Sequence, residues 1–237
     1  MSDRRTRERA FYVALCGAMA ALVFIGFART YFLRTFFGTP PPAPFVMFHG
    51  ALMSGWIALL LVQAVLISRS QVLWHRRLGI AGVTYAALIV IVGCMTTLRA
   101  AAREVAAHSQ YVGSQLDVLA LELTQMILFG SLVAAAVLMR ARTDWHKRLM
   151  IMATLCILPN VIVRISFWFP GSPSENSIYL ALWIALVLLV VGVDAVRFGG
   201  IHRAYRLAAP AAVVALLMAH MVGITAAWVR LGSWLVS

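Results

Sequence analysis

The stretch Ala181-Leu182-Trp183-Ile184-Ala185-Leu186-Val187-Leu188-Leu189-Val190-Val191-Gly192-Val193 is apolar whichever way it is turned. A strand crossing a membrane as part of a barrel alternates apolar and polar residues over about ten positions. A segment apolar on all sides instead predicts a helix surrounded by hydrocarbon or by other helices. A helix needs about 20 such residues to cross roughly 30 Å of hydrocarbon. Seven runs meet that need, at roughly 10–28, 45–67, 78–98, 116–139, 149–169, 177–196 and 208–229. They fill most of the chain, so the expectation is one integral membrane domain over 1–237, all-α, polytopic, a seven-transmembrane-helix bundle.

Composition agrees. The 237 residues are 62% hydrophobic and 12% charged, with a mean hydropathy of +0.90, whereas a soluble domain carries about 25% charged residues. The first run is too long for a signal peptide, and Ala28-Arg29-Thr30 is a poor cleavage site, which predicts a retained first helix. The three cysteines, Cys16, Cys94 and Cys156, are widely spaced and suggest neither a disulfide framework nor a thiolate metal site.

The net charge of +12 is distributed by side. Arg4, Arg5, Arg7 and Arg9 precede the first run. Arg69, Arg76 and Arg77 join the second and third; Arg140, Arg142, Lys147 and Arg148 join the fourth and fifth; Arg197, Arg203 and Arg206 join the last two. That places 14 of the 20 basic residues on one face. By the positive-inside rule the N-terminus is cytoplasmic and the C-terminus outside, as in a bacterial inner (plasma) membrane. The partner this charge implies is the anionic headgroup layer of the bilayer, not nucleic acid.

A repeat organises the chain. Trp74-His75-Arg76-Arg77-Leu78 returns 71 residues later as Trp145-His146-Lys147-Arg148-Leu149, and His202-Arg203-Ala204-Tyr205-Arg206-Leu207 is a looser third copy. Short basic turns between the runs predict three antiparallel helical hairpins following a lone first helix. The prolines of Thr39-Pro40-Pro41-Pro42-Ala43-Pro44 predict a stiff extended connection. Arg99 to Gln115, with Arg103, Glu104, His108 and Tyr111, is expected to lie along the interface as a short helix. Pro159 marks a kink beside Asn160, and Pro210 the beginning of the last helix.

Several residues are candidates for chemistry. His75 and His146 stand at equivalent helix starts, and neutral imidazole binds iron. In the structural alternative, the tryptophan anchors at the interface and the cations hold the turn inside. His49 lies near one end of the second run beside Gly50, and His220 near the middle of the last run; ionisable groups within a bilayer point to function by default. The fourth run offers Asp117, Glu122, Thr124 and Gln125, with Glu122 and Gln125 sharing a face. Arg164 is the natural charge partner of Glu122 or Asp117. His49, Glu122 and His220 form an alternative zinc set, since catalytic zinc takes three protein ligands and a water. Gln63 and Asp194, the latter beside Arg197, read as structural. Lys147 is the only lysine and lies at a turn, which excludes a retinal Schiff base in mid-membrane.

His49-Gly50-Ala51-Leu52-Met53, then Arg69, His75 and Gly79, resembles the second and third helices of the ascorbate-reducible di-haem b-type cytochromes. Gln63 with His75-Arg76-Arg77-Leu78-Gly79 is also similar to bacterial multi-pass membrane proteins of unassigned function. The first resemblance covers about 50 residues and implies a membrane electron-transfer protein with bis-histidine haem b. His75 and His146 would ligate one iron, and His49 would serve a second. Arg69, Arg76, Arg77, Lys147 and Arg148 would neutralise propionates, and a quinol or small-molecule reductant would supply electrons. The fourth run departs from that pattern by offering no histidine opposite His49, which leaves His220 as substitute, and seven helices stand in place of six. The alternative is a non-haem protein, with zinc or no cofactor: a hydrolase, a transporter or a structural subunit of a membrane complex.

Overall fold

The computed structural model describes residues 2–108, 112–169 and 176–237; among these the chain is almost entirely helical and no strand occurs. Helix α1 (Ser2–Phe27) runs on into a π-helical turn, Ala28–Phe32. It is followed by α2 (Pro44–Ser68), α3 (Val72–Ala106), α4 (Val112–Leu138), α5 (Thr143–Cys156), α6 (Pro159–Ser166), α7 (Asn176–Phe198), α8 (Arg203–Gly223) and α9 (Ala226–Val236). Six segments among the described residues are long and apolar enough to cross a membrane: Arg5–Phe32, Pro44–Ser68, Val72–Ala106, Ser114–Leu138, Asn176–Phe198 and Arg203–Gly223. The pair α5 and α6 meets the same test together but is bent by 42°. Many large apolar side chains face outward, Ile80, Leu188 and Val196 among them, as lipid-facing helices require.

The chain forms two compact units, Met1–Ile89 and Val90–Ser237. In the first, Tyr12, Cys16, Met19 and Val23 are buried at helical spacing on the face of α1 that meets α2. Two glycines make notches on α2. The Tyr31 ring fills the space a side chain at Gly50 would need, and its hydroxyl donates to Met47 O (3.0 Å). Tyr85 occupies the same kind of space at Gly55 and donates to Leu52 O (2.8 Å), joining α3 to α2. Arg9 Nη1 donates to Ser70 Oγ (2.9 Å) at the α2–α3 turn.

In the second unit α5 is the central element, buried from Leu149 through Cys156 apart from Met150, with Trp183, Phe129 and Tyr205 fully enclosed. Pro159 explains its bend. Without an N–H, Pro159 leaves Leu155 O short of its helical donor; Trp183 Nε1 donates there instead (2.7 Å), together with Leu158 N (3.1 Å).

The hairpin turns at 69–71, 139–142 and 199–202 are short, as expected, and Gly199 and Gly200 take the left-handed conformations (φ 82° and 136°) that permit the last of them. Ala43 is extended (φ −52°, ψ 147°) and Pro44 occupies the first turn of α2, in keeping with a stiff proline connection. Three details differ from expectation. Arg99 to Ala106 continues α3 and residues 112–115 already belong to α4, so among the described residues no separate interfacial helix forms; Tyr111 lies outside them. Pro210 falls inside α8, because His202 caps that helix eight residues earlier. The last apolar run is two helices: Thr225 Oγ1 accepts from Trp228 N (3.2 Å) and starts α9, so His220 stands in the last turn of α8 and not near mid-helix.

Candidate functional site

The helices carrying the repeated histidines begin at Val72 and Thr143, six residues before the apolar runs, and so take both Trp-His pairs into their first turn. Each histidine then reaches back to the helix before it. His146 Nδ1 donates to Ala136 O near the end of α4 (2.8 Å). His75 Nδ1 meets Gln63 of α2. With its amide turned to satisfy both groups, Gln63 Nε2 donates to His75 Nδ1 (2.6 Å) and His75 O (3.2 Å), and Oε1 accepts from Gly79 N (3.0 Å). Gln63 is thus a structural residue: it docks its amide on one turn of the α3 backbone.

The two contacts leave the imidazoles in different states. A His146 that donates through Nδ1 keeps a lone pair on Nε2, the tautomer that metal-bound histidines show when a carbonyl fixes their orientation. A His75 that accepts at Nδ1 carries its proton on Nε2, and ligating iron would require the Gln63 amide to turn over. His146 is thus held as the Nδ1–H tautomer, and His75, with the Gln63 amide so turned, as the Nε2–H tautomer.

Arg76 and Arg77 are exposed, Arg77 lying over the Trp74 ring at 5.5 Å. Arg148, which matches Arg77 in the repeat, is buried. Its Nε and Nη2 each donate to Asp194 Oδ1 (2.9 Å), Nη1 donates to Asp144 O (3.2 Å), and the guanidinium lies over Phe198 and Tyr205. Asp194, expected beside Arg197, is fully enclosed against α5. Lys147 pairs with Asp144 (2.7 Å). His202, the third copy, packs edge-on against Trp145 (5.6 Å) and caps α8, accepting Ala204 N at Nδ1 (3.1 Å). Burial and then the Arg148 guanidinium hold its pKa below the usual 6.5, with Asp144 and Asp194 opposing.

A second set of polar groups occupies the opposite end of this unit. Five residues apart on α4, Asp117 and Glu122 face different neighbours. His220 Nδ1 lies 3.1 Å from both carboxylate oxygens of Asp117, and Asn176 Nδ2 donates to Asp117 Oδ2 (2.8 Å). Gly223 makes room for this, since a Cβ there would stand 2.5 Å from Asp117 Oδ1. Glu122 Oε1 accepts from Asn160 Nδ2 (3.0 Å), the residue following Pro159 at the bend. Arg164, two turns of chain past the bend, is within electrostatic reach of Glu122. Thr97 Oγ1 is buried facing Glu122 without a well-formed hydrogen bond, and Gln125 Oε1, one turn along α4, is buried with no partner among the described residues. The sequence offered Arg164 as charge partner to either Glu122 or Asp117, and the fold puts it within electrostatic reach of Glu122. Asn160 and Asn176 were missed as partners because their positions depend on how separate helices pack.

In the first unit His49 Nδ1 and Thr30 Oγ1 are likewise buried without partners among the described residues. Among those residues no three His, Cys, Asp or Glu side chains converge as a metal-binding group.

The chain is an all-helical integral membrane protein, on the evidence of its long apolar helices. No family model, no curated protein and no solved structure matches it.

Proposed function

We propose that the chain is a seven-span membrane protein, with its basic turns cytoplasmic, whose second unit carries protons through the bilayer by way of Glu122. One observation supports this above the others. A carboxylate on a spanning helix is bonded to Asn160 of a bent, proline-broken helix pair, and two buried polar atoms, Thr97 Oγ1 facing it and Gln125 Oε1 one turn along α4, lack full partners. Buried polar atoms left unsatisfied by protein are where ordered waters bind, and water beside a carboxylate is a means of moving a proton. Ionisable residues within spanning helices mark such relays, and interrupted helices recur at ion sites of transporters. If Glu122 and Arg164 are instead only a structural ion pair, no proton moves.

The test is voltage-driven proton flux in proteoliposomes. A potassium gradient with valinomycin supplies the voltage and an internal pH dye reads the flux. Flux above empty vesicles is expected, with a fall of about tenfold or more for Glu122→Gln, since losing a group that transfers the proton typically costs 10²–10⁴-fold in rate. Equal flux from wild type and empty vesicles would end the proposal.

A second reading, a b-type cytochrome, rests on the His146 tautomer. A haem held through His146 Nε2 would supply one-electron transfer, with a quinol or small reductant as donor. The reduced-minus-oxidised visible spectrum of protein purified in mild detergent decides it: sharp low-spin b-type bands that vanish in His146→Ala support haem, and a colourless protein removes it.

A further inference from the structure

We propose that Asp117 and His220 form an acid–base dyad that exchanges protons with water at the end of the second unit away from the basic turns, His220 Nε2 being the exchanging atom. This deepens the proton-carrying reading by naming where the proton enters or leaves, and its role in transport rests on that reading.

Helices α4, α7 and α8 bring one end each to this point. Asp117 lies in the second turn of α4, Asn176 begins α7 and His220 stands in the last turn of α8. The Asp117 carboxylate receives both Asn176 Nδ2 and His220 Nδ1, so it is fixed from two sides. A carboxylate bonded to Nδ1 dictates the tautomer: the proton stays on Nδ1 and the lone pair on Nε2. Nε2 has no hydrogen-bond partner among the described residues, and the side chain keeps about 15% of its surface open. A proton arriving at Nε2 gives an imidazolium that remains bonded to Asp117; its departure restores the neutral ring, and no other bond changes. The carboxylate thus steadies the ring in both states, as in the acid–base histidines of hydrolases.

Of the elements packed against α8, α4 supplies Asp117 and α7 supplies Asn176 and, one turn on, Tyr179. Arg230 of α9 is exposed, and the charged groups of α5 lie in its first turns at the other end of the unit. The structural alternative is a static clasp, which Gly223 and the bond from Trp228 Nε1 to Leu116 O (2.7 Å) would also suit. A clasp has no need of an Nε2 that changes state.

Nitrogen-15 NMR of histidine-labelled full-length protein in nanodiscs separates the two, with His220→Gln assigning the signal. The expected result is a His220 Nε2 resonance that moves reversibly between unprotonated and protonated positions over about pH 5–8, the range in which histidine serves as a switch, while Nδ1 stays protonated throughout. A ring that keeps one state over that range, or one in which Nδ1 is the nitrogen that exchanges, overturns the dyad. This readout needs no flux. A titrating Nε2 in a protein that moves no protons would support the dyad and sink the Glu122 pathway, and flux with a silent His220 would do the reverse.

Discussion

Arg77 and Arg148 hold the same place in the repeat and have opposite surroundings. Arg77 is exposed over its own Trp74, and its charge costs little because the headgroup layer or water can solvate it. Arg148 has given up that solvation and recovers it from Asp194, Asp144 O and two aromatic faces. Removing one partner of a buried pair strands the other charge, so Arg148→Met should cost roughly 3–5 kcal/mol. Arg77→Met should cost less than about 1 kcal/mol. Unfolding in mixed micelles by titrated denaturing detergent would measure both; equal, small losses would mean that Arg148 is solvated after all. The repeat itself was plain in the sequence. What it could not reveal was the partner, because Asp194 lies 46 residues from Arg148 and has Arg197 only three residues from it in sequence. Sequence spacing orders neighbours along one helix and says little about which face of another helix meets them.

At the scale of elements, the first turn of α8 is the place where pH should act. His202 accepts the Ala204 N–H only while Nδ1 is unprotonated, and the fold holds its pKa below 6.5. The unfolded chain therefore takes up the proton first. The contribution of His202 is complete above about pH 6.5 and is lost as pH falls through the lower, folded value. The unfolding midpoint of the wild type should accordingly drop between pH 8 and pH 5.5 by more than that of His202→Asn, which caps equally well without titrating. Parallel drops in the two proteins would show that His202 is not responsible. At the bend of α5 and α6, Trp183→Phe withdraws one of the two donors to Leu155 O. A loss of about 1 kcal/mol is expected in the same unfolding measurement, less than a fully orphaned carbonyl costs, because Leu158 N remains. The bend was legible from Pro159 alone. The break after α8 carried a signal too, Gly223 followed by a capping Thr225, but it was hidden within an apolar run whose hydropathy does not falter there. Hydropathy reports what lipid tolerates, and a threonine that bonds its own backbone passes unnoticed in it.

For the molecule as a whole, the charge bias and the bend make a joint demand. If α5 and α6 cross the membrane together, the turns at 69–71, 139–142 and 199–202 share one side with the N-terminal arginines, and the chain ends on opposite sides. If the bent pair turns back instead, α7 begins on the same side as the α4–α5 turn. The 199–202 turn, with Arg197, Arg203 and Arg206, is then carried across, against the positive-inside rule. Moving three arginines to the other side is opposed by the same preference that would hold the other eleven basic residues, Lys147 among them, on one side. The 22 residues of α5 and α6 with their two-residue link also rise far enough, at about 1.5 Å each, to traverse the hydrocarbon even with the bend. The broken pair should therefore cross. With Cys16, Cys94 and Cys156 replaced, Ser70→Cys, Ala141→Cys and Ile201→Cys should each react with a membrane-impermeant thiol reagent from the same side. Labelling of Ile201→Cys from the other side alone would mean a re-entrant pair and six spans. Asn160 would then stand at the tip of a loop open to one compartment, with Glu122 of α4 beside it, and a path through the bilayer by way of them would lose its physical basis.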